Sequence, residues 1–197
     1  MPKRRLCIQM SGAPGSGKST TAKALAGPLD AVVLDLDVIK TTLLDKNIPF
    51  QQAATLSYSV LWALAGDVLE QGRNLIIDCA CNYEEIVTRG TALAAEQSGC
   101  EHWYVECRPE VDIRVLDERL RGRRSMRSQR TGVERPPVDA VASHDAGEPQ
   151  ESLFRRWIES PHRPENNVIV VDSSQGRELC RDQVMEVMEA KWLRDTA

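Results

Sequence analysis

Gly12-Ala13-Pro14-Gly15-Ser16-Gly17-Lys18-Ser19 is the stretch on which the reading of this chain turns. It fits G-x-x-x-x-G-K-[ST] at every position. Glycines at this spacing let the backbone wrap so that successive N–H groups point inward at an anion. The apolar run Leu6–Met10 before it predicts a buried strand, and Lys18–Ala26 after it predicts a helix stopped by Gly27-Pro28. A helix beginning at Lys18 adds its positive dipole end to the same anion site. Strand, glycine turn and helix in that order make a phosphate-binding loop. Lys18 can reach the β- and γ-phosphates of a nucleoside triphosphate, and the Ser19 hydroxyl can ligate Mg²⁺. The expected nucleotide contacts are Gly12, Ala13, Pro14, Gly15, Ser16, Gly17, Lys18, Ser19 and the adjacent Thr20, with ATP expected and GTP as the alternative.

Outward from the loop, strand and helix alternate to the end of the chain. Strands are predicted at Ala31–Leu36, Asn74–Ile77, His102–Cys107 and Val168–Val171. Helices are predicted over 38–48, 51–71, 84–97, 110–124 and about 177–192. In the helix over 51–71 the expected apolar face is Ala54, Leu61, Leu64, Val68 and Leu69. Residues 125–150 concentrate turn chemistry at Gly132, Pro136, Pro137, Gly147 and Pro149, and read as an insertion. The alternation implies an α/β fold of three layers, with five parallel strands and helices on both faces. Ligands bind such sheets at the strand C-termini, where the loop, Asp37, Asp78 and Asp172 are expected. The 197 residues suit one domain, with a lid or insertion over about 119–150.

Composition narrows the function classes. A formal net charge of −4 argues against a nonspecific nucleic-acid binder, which needs a cationic surface. The six cysteines show no paired metal-ligand spacing, so free thiols in a reducing, cytoplasmic setting are expected. No apolar run is long enough to cross a membrane. His102, His144 and His162 are too dispersed for a metal site, His144 and His162 are expected at the surface, and the four tryptophans read as packing residues.

Asp35 and Asp37 stand two apart at the end of the second predicted strand. Phosphoryl transfer to a hydroxyl needs a group that orients the hydroxyl and accepts its proton, the role expected of Asp37. Asp35 could help hold Mg²⁺ or cap the following helix. Asp78 ends the run Asn74–Ile77 in the manner of a Walker-B strand, so a contact to Mg²⁺ or substrate is expected. Asn82 and Arg89 follow it as candidate substrate contacts. Between residues 114 and 135 lie eight arginines. Arg119, Arg123, Arg127 and Arg130 are spaced 4, 4 and 3 apart, one face of a helix if the helix continues. Guanidinium groups suit the charge that spreads over a transferring phosphoryl group, and a closing lid excludes water. Arg123 and Arg127 are the catalytic candidates of this segment and Arg130 a substrate candidate.

With the loop, Asp37, Asp78 and the arginine segment in place, the chain resembles P-loop kinases of the zeta-toxin, chloramphenicol phosphotransferase and polynucleotide 5′-kinase group, with an AAA-type ATP-binding domain. The resemblance implies that Asp37 is the catalytic base. Arg119-x-x-x-Arg123-Arg124 resembles the lid start of adenylate-kinase-like enzymes, which implies that Arg119 packs on the base and Arg123 contacts phosphates. The turn after Val170-Val171-Asp172 resembles the family's last strand and turn, placing Ser173, Ser174 and Gln175 near the base. The chain departs from its relatives at Cys81, where they often carry threonine. The implied function is ATP-dependent transfer of the γ-phosphoryl group to a hydroxyl of a small molecule, by a monomer or homodimer. The alternatives are a polynucleotide 5′-hydroxyl kinase and a nucleotide-binding regulator with little transfer.

Overall fold

The computed structural model describes residues 4–141 and 149–195. His144, Gly147 and the rest of 142–148 lie outside the described residues. The elements run β1 (Arg5–Ser11), α1 (Lys18–Ala26), β2 (Ala31–Asp35), α2 (Leu36–Asp45), α3 (Phe50–Glu70), β3 (Asn74–Asp78), α4 (Glu84–Ala95), β4 (Cys100–Cys107), α5 (Ile113–Gly122), α6 (Val138–Val141), α7 (Gln150–Glu159), β5 (Val168–Val171) and α8 (Arg177–Arg194). The five strands form one parallel sheet in the order β2-β3-β1-β4-β5.

Two cores follow from strand alternation. Leu6, Ile8 and Met10 of β1 face α1 and α8, where they bury Ala22, Leu25, Val184 and Met188. Cys7, Leu75, Ile77 and Tyr104 face α3 and α4 and pack on Leu61, Leu69 and Leu93. Each fully buried Leu or Ile contributes about 1.5–3 kcal/mol. Gln9 is a large buried polar side chain on this second face. Its Nε2 donates to the Ile86 carbonyl at 2.9 Å, and its Oε1 pairs with His102 Nε2 at 2.8 Å. Gly90 makes room for it, since a Cβ there would stand 2.1 Å from Gln9 Cδ. A third core of Ala13, Leu116, Leu120, Val133 and Phe154 ties α5 and α7 to the phosphate loop.

Three sequence expectations need correction, and helix α7 had no expectation attached to it. The second strand stops at Asp35, not Leu36, because the Asp35 carboxylate accepts the Asp37 N–H at 2.9 Å and caps α2. Asp37 therefore sits in the first turn of a helix rather than on a strand tip. In α3 the buried stripe is Ala53, Ser57, Leu61, Ala65 and Leu69, while Leu64 is exposed. The arginine face breaks where α5 ends at Gly122: Arg123 is extended, with φ −85 and ψ 152. Arg127 and Arg130 thus do not continue the face that carries Arg119. The unanticipated α7 (Gln150–Glu159) follows the turn-rich stretch and buries Phe154 in the third core.

Candidate active site

The phosphate loop is built by glycines in conformations that a side chain resists. Gly12, Gly15 and Gly17 have φ of 131, 83 and 99. At Gly12 a Cβ would lie 2.3 Å from the Cys107 carbonyl oxygen. The Ser16 N–H closes the turn on the Ala13 carbonyl at 3.1 Å. Lys18 Nζ donates to the loop's own Gly12 and Ala13 carbonyls, at 2.9 and 3.2 Å, so its ammonium is held at the loop. Gly17 leads directly into α1 at Lys18, which points that helix's N-terminus at the loop.

Three carboxylates collect beside the loop. Parallel register places Met10 opposite Asp78 and Asp78 opposite Asp35. Asp78 is 4 % exposed, and its Oδ2 has no protein partner. Burial holds its carboxyl above the ordinary range, with Lys18 and the Ser19 hydroxyl drawing it back. Burial, with the Asp78 and Asp37 charges, pushes Asp35 up to about 6. A buried carboxylate oxygen without a partner, next to a hydroxyl and a second carboxylate, is a set of hard oxygen donors that fits Mg²⁺.

Asp37 is gripped from across the cleft. Ser128 Oγ donates to its Oδ1 at 2.8 Å, and Gln129 Nε2 donates to its Oδ2 at 2.9 Å. The Thr41 hydroxyl of α2 joins Ser128 at 3.0 Å. The segment after α5 is thereby fastened along α2, starting six residues beyond Gly122.

The arginines divide. Arg119 and Arg123 line the main cleft. One Arg123 N–H group donates to the Arg130 carbonyl at 3.1 Å, while its buried Nε has no partner. Burial works against the Arg123 charge and Asp37 supports it. Arg127 turns away to Asp139, with bonds of 2.8 and 2.9 Å, and donates to the Leu44 carbonyl at 2.7 Å. It does not line the cleft. Arg130 reaches the cleft wall, but its guanidinium is spent on the Gly132 and Val133 carbonyls and Gln150, beside the Phe154 and Trp157 rings. Arg89 lies apart, paired with Glu96 at 2.8 Å on an exposed face. Neither Arg89 nor Arg127 is brought to the site.

The cleft has a volume of about 520 Å³ and joins Pro14, Gly15, Gly17, Lys18, Ser19 and Thr20 to Asp37, Asp78, Asn82, Arg119, Arg123 and Arg130. A smaller recess of about 260 Å³ continues past Gly15, Gly17 and Thr20 to Arg119, Ser173 and Arg177. Ser173 Oγ donates to the Ser16 carbonyl, whereas Ser174 bonds the Asp172 carboxylate and lies outside that recess. Cys81 is buried and directs its thiol at the Met10 carbonyl, 3.5 Å away. The sequence places the acceptor pocket in residues 38–62, 78–90 and 131–160, which hold Lys40, Phe50, Tyr58 and Tyr83 of the cleft wall without singling them out; Ser128 and Gln129 were missed, and Trp157 was read as packing alone. They come from separate segments, and only Lys40, at i+3 from Asp37, carried a signal that could have been followed.

A parallel sheet in this order, with the glycine turn between β1 and α1, defines a P-loop nucleotide-binding protein. The chain belongs to the AAA domain family, which matches residues 8–144. Solved kinases share the fold over nearly the whole chain. A sugar kinase from Janibacter is 16% identical, covering 94% of this chain and 95% of that one, with a TM-score of 0.60. A gluconokinase from Sinorhizobium meliloti is 17% identical over 97% and 99%, with a TM-score of 0.55. The APS kinase of Mycobacterium tuberculosis, solved with AMPPNP and APS, is 19% identical over 95% and 98%, with a TM-score of 0.53. No curated protein matches the chain. Among the described residues no helix is long and apolar enough to cross a membrane.

Proposed function

We propose that this chain is an ATP-dependent kinase that moves the γ-phosphoryl group to a hydroxyl of a small molecule. The observation that carries the reading is the Asp37 carboxylate, held by Ser128 and Gln129 on the wall of the cleft that the phosphate loop opens into. The solved sugar, gluconate and APS kinases of the same fold support it.

In this reading the backbone of Gly12–Ser19 cradles the phosphates, Thr20 flanks them, and the base enters the recess by Arg119 and Ser173, with Ser174 at its rim. The acceptor hydroxyl hydrogen-bonds to Asp37. As its oxygen bonds to the γ-phosphorus, its proton passes to the Asp37 carboxylate, the bond from that phosphorus to the β–γ bridging oxygen breaks, and ADP leaves. Lys18 leaves the loop carbonyls for the phosphate oxygens, and Arg123 meets the charge on the transferring group. Ser19 and Asp78, with Asp35 behind them, would hold Mg²⁺, which supplies charge neutralisation on the β- and γ-oxygens when bound. Asn82 faces the acceptor. Arg130 acts from the cleft wall, and Arg127 positions the lid segment within 119–150 rather than touching phosphate. The enzyme works in the cytoplasm, as a monomer or a homodimer. GTP is the alternative donor. A polynucleotide end is the weaker acceptor, because Arg127 and Arg130 are already committed to protein partners.

The test incubates the protein with ATP, Mg²⁺ and a cell-extract metabolite fraction and seeks a phosphorylated product by mass spectrometry. Asp37→Asn should reduce transfer by about 100-fold or more while nucleotide affinity holds. Full transfer by that variant would overturn the reading.

A further inference from the structure

The acceptor half of the cleft holds a cation with no anion. Lys40 follows Asp37 by three residues on α2, so both project from one face, and both line the cleft. Its ammonium lies 3.9 Å from the centre of the Phe50 ring. Among the described residues no carboxylate comes within ion-pair distance of it. Asp37 acts on it only through space, and its own oxygens are taken by Ser128 and Gln129. Burial weighs against the Lys40 charge, and only the Phe50 ring face and the more distant Asp37 charge offset it, so the ammonium stands in a desolvating wall with no anion in contact.

Its place in the sheet argues against a role on the triphosphate. The order β2-β3-β1 puts α2 two strands from the phosphate loop, roughly 10 Å at ordinary strand spacing. The loop side already has Lys18, Arg119 and Arg123. Lys40 stands instead against Phe50 of α3, on the cleft wall that Tyr58 also lines.

We infer that the acceptor carries, besides its reacting hydroxyl, an anionic group, a carboxylate or a phosphate, that pairs with Lys40. The two groups should lie on the order of 5 Å apart, the rise from Asp37 to Lys40 along the helix. Phe50 and Tyr58 fit the apolar face of a short carbon chain between or beside them. This inference rests on the kinase reading for its hydroxyl, but not for its anion site.

The experiment offers matched acceptors of equal chain length: hydroxy-carboxylates, polyol phosphate monoesters and neutral polyols. Binding is read by calorimetry with a non-hydrolysable ATP analogue present, and transfer by phosphorylated product. One anionic set should bind about tenfold or more tightly than its neutral match, and which set does so distinguishes carboxylate from phosphate. Lys40→Met, whose side chain still covers Phe50, should erase that preference and leave nucleotide affinity unchanged. Lys40→Arg should keep part of it. Thermal midpoints of both variants show that they fold.

Equal affinity for neutral and anionic acceptors, indifferent to Lys40→Met, would overturn the inference. So would a nucleotide affinity that falls in Lys40→Met with the acceptor preference intact, or no binding by any set. Product formed from neutral polyols with no dependence on Lys40 would sink the anion site and leave the kinase reading standing. Lys40-dependent anion binding with no product from any acceptor would do the reverse.

Discussion

At the residue scale, the glycines of the loop are not equivalent, and their spacing alone does not say which is irreplaceable. Gly12 combines φ 131 with a Cβ position 2.3 Å from the Cys107 carbonyl and 2.6 Å from Ser16 Oγ. One obstacle is strand backbone, which cannot swing aside. Gly27, at the end of α1, has φ −64 and open space around it. Gly12→Ala should therefore cost about 2–4 kcal/mol in chemical denaturation and abolish measurable ATP binding. Gly27→Ala should be neutral or stabilise by a few tenths of a kcal/mol to about 1 kcal/mol. Similar losses in both variants would show that the loop's conformation is not what limits it. The motif marked the loop; the crossing of Cys107 behind Gly12 is a tertiary fact that no local pattern encodes.

At the element scale, the decisive object is the clasp between α2 and the segment after α5. A sequence reader sees Arg119, Arg123, Arg127 and Arg130 at helical spacing and continues the helix through them. The chain instead leaves the helix at Gly122, which frees Ser128 and Gln129 to reach Asp37 and sends Arg127 outward to Asp139 and Leu44. The two arginines should then differ in kind. Arg123→Ala removes a guanidinium whose Nε is buried and unpartnered in the cleft, and should lower kcat by about 100-fold or more with little change in ATP affinity. Arg127→Ala should lower kcat by less than about tenfold, because exposed ion pairs hold little energy and other clasp bonds remain. Ser128→Ala belongs between them. It strips one hydrogen bond from Asp37 and one from Thr41, should cost about 1–2 kcal/mol in stability, and should reduce kcat about tenfold. A larger loss in Arg127→Ala than in Arg123→Ala, measured by product formation at saturating ATP, would return Arg127 to the phosphates.

At the scale of the whole molecule, the sheet was legible and its contents less so. Apolar runs ending at or beside glycine or aspartate located four of the five strands, because a buried parallel strand leaves a nearly continuous apolar signature; the fourth strand, which runs into Arg108-Pro109, showed by its Trp103–Val105 centre instead. Asp35 and Asp78 were each located at the end of an apolar run, but the register that sets them opposite one another is a property of the assembled sheet. The buried polar network around β4 left no such trace. His102 bonds Gln9, which bonds Ile86, and together they cross from sheet to α4. Burial lowers the His102 ring to about 4. An unfolded histidine titrates near 6.5, so between those values the unfolded chain binds the extra proton and stability falls as pH falls. Asp35 acts with the opposite sign. Raised to about 6 from an ordinary carboxylate value, its protonated form is favoured by folding, so stability rises as pH falls through that window. Both side chains are partly buried, but the interval from pH 7.5 to 5 spans most of the His102 window and only the top of the Asp35 window, so the histidine should dominate. Between pH 7.5 and 5 the His102 contribution should remove about 2 kcal/mol of unfolding free energy. His102→Gln should lose stability at pH 7.5 but keep it, or gain slightly, on acidification, because only the Asp35 relief remains. Asp35→Asn should show the steeper loss of the three chains. Urea denaturation of each at the two pH values reads the slopes directly, and parallel slopes in the native chain and His102→Gln would exclude the buried ring as the source of acid sensitivity.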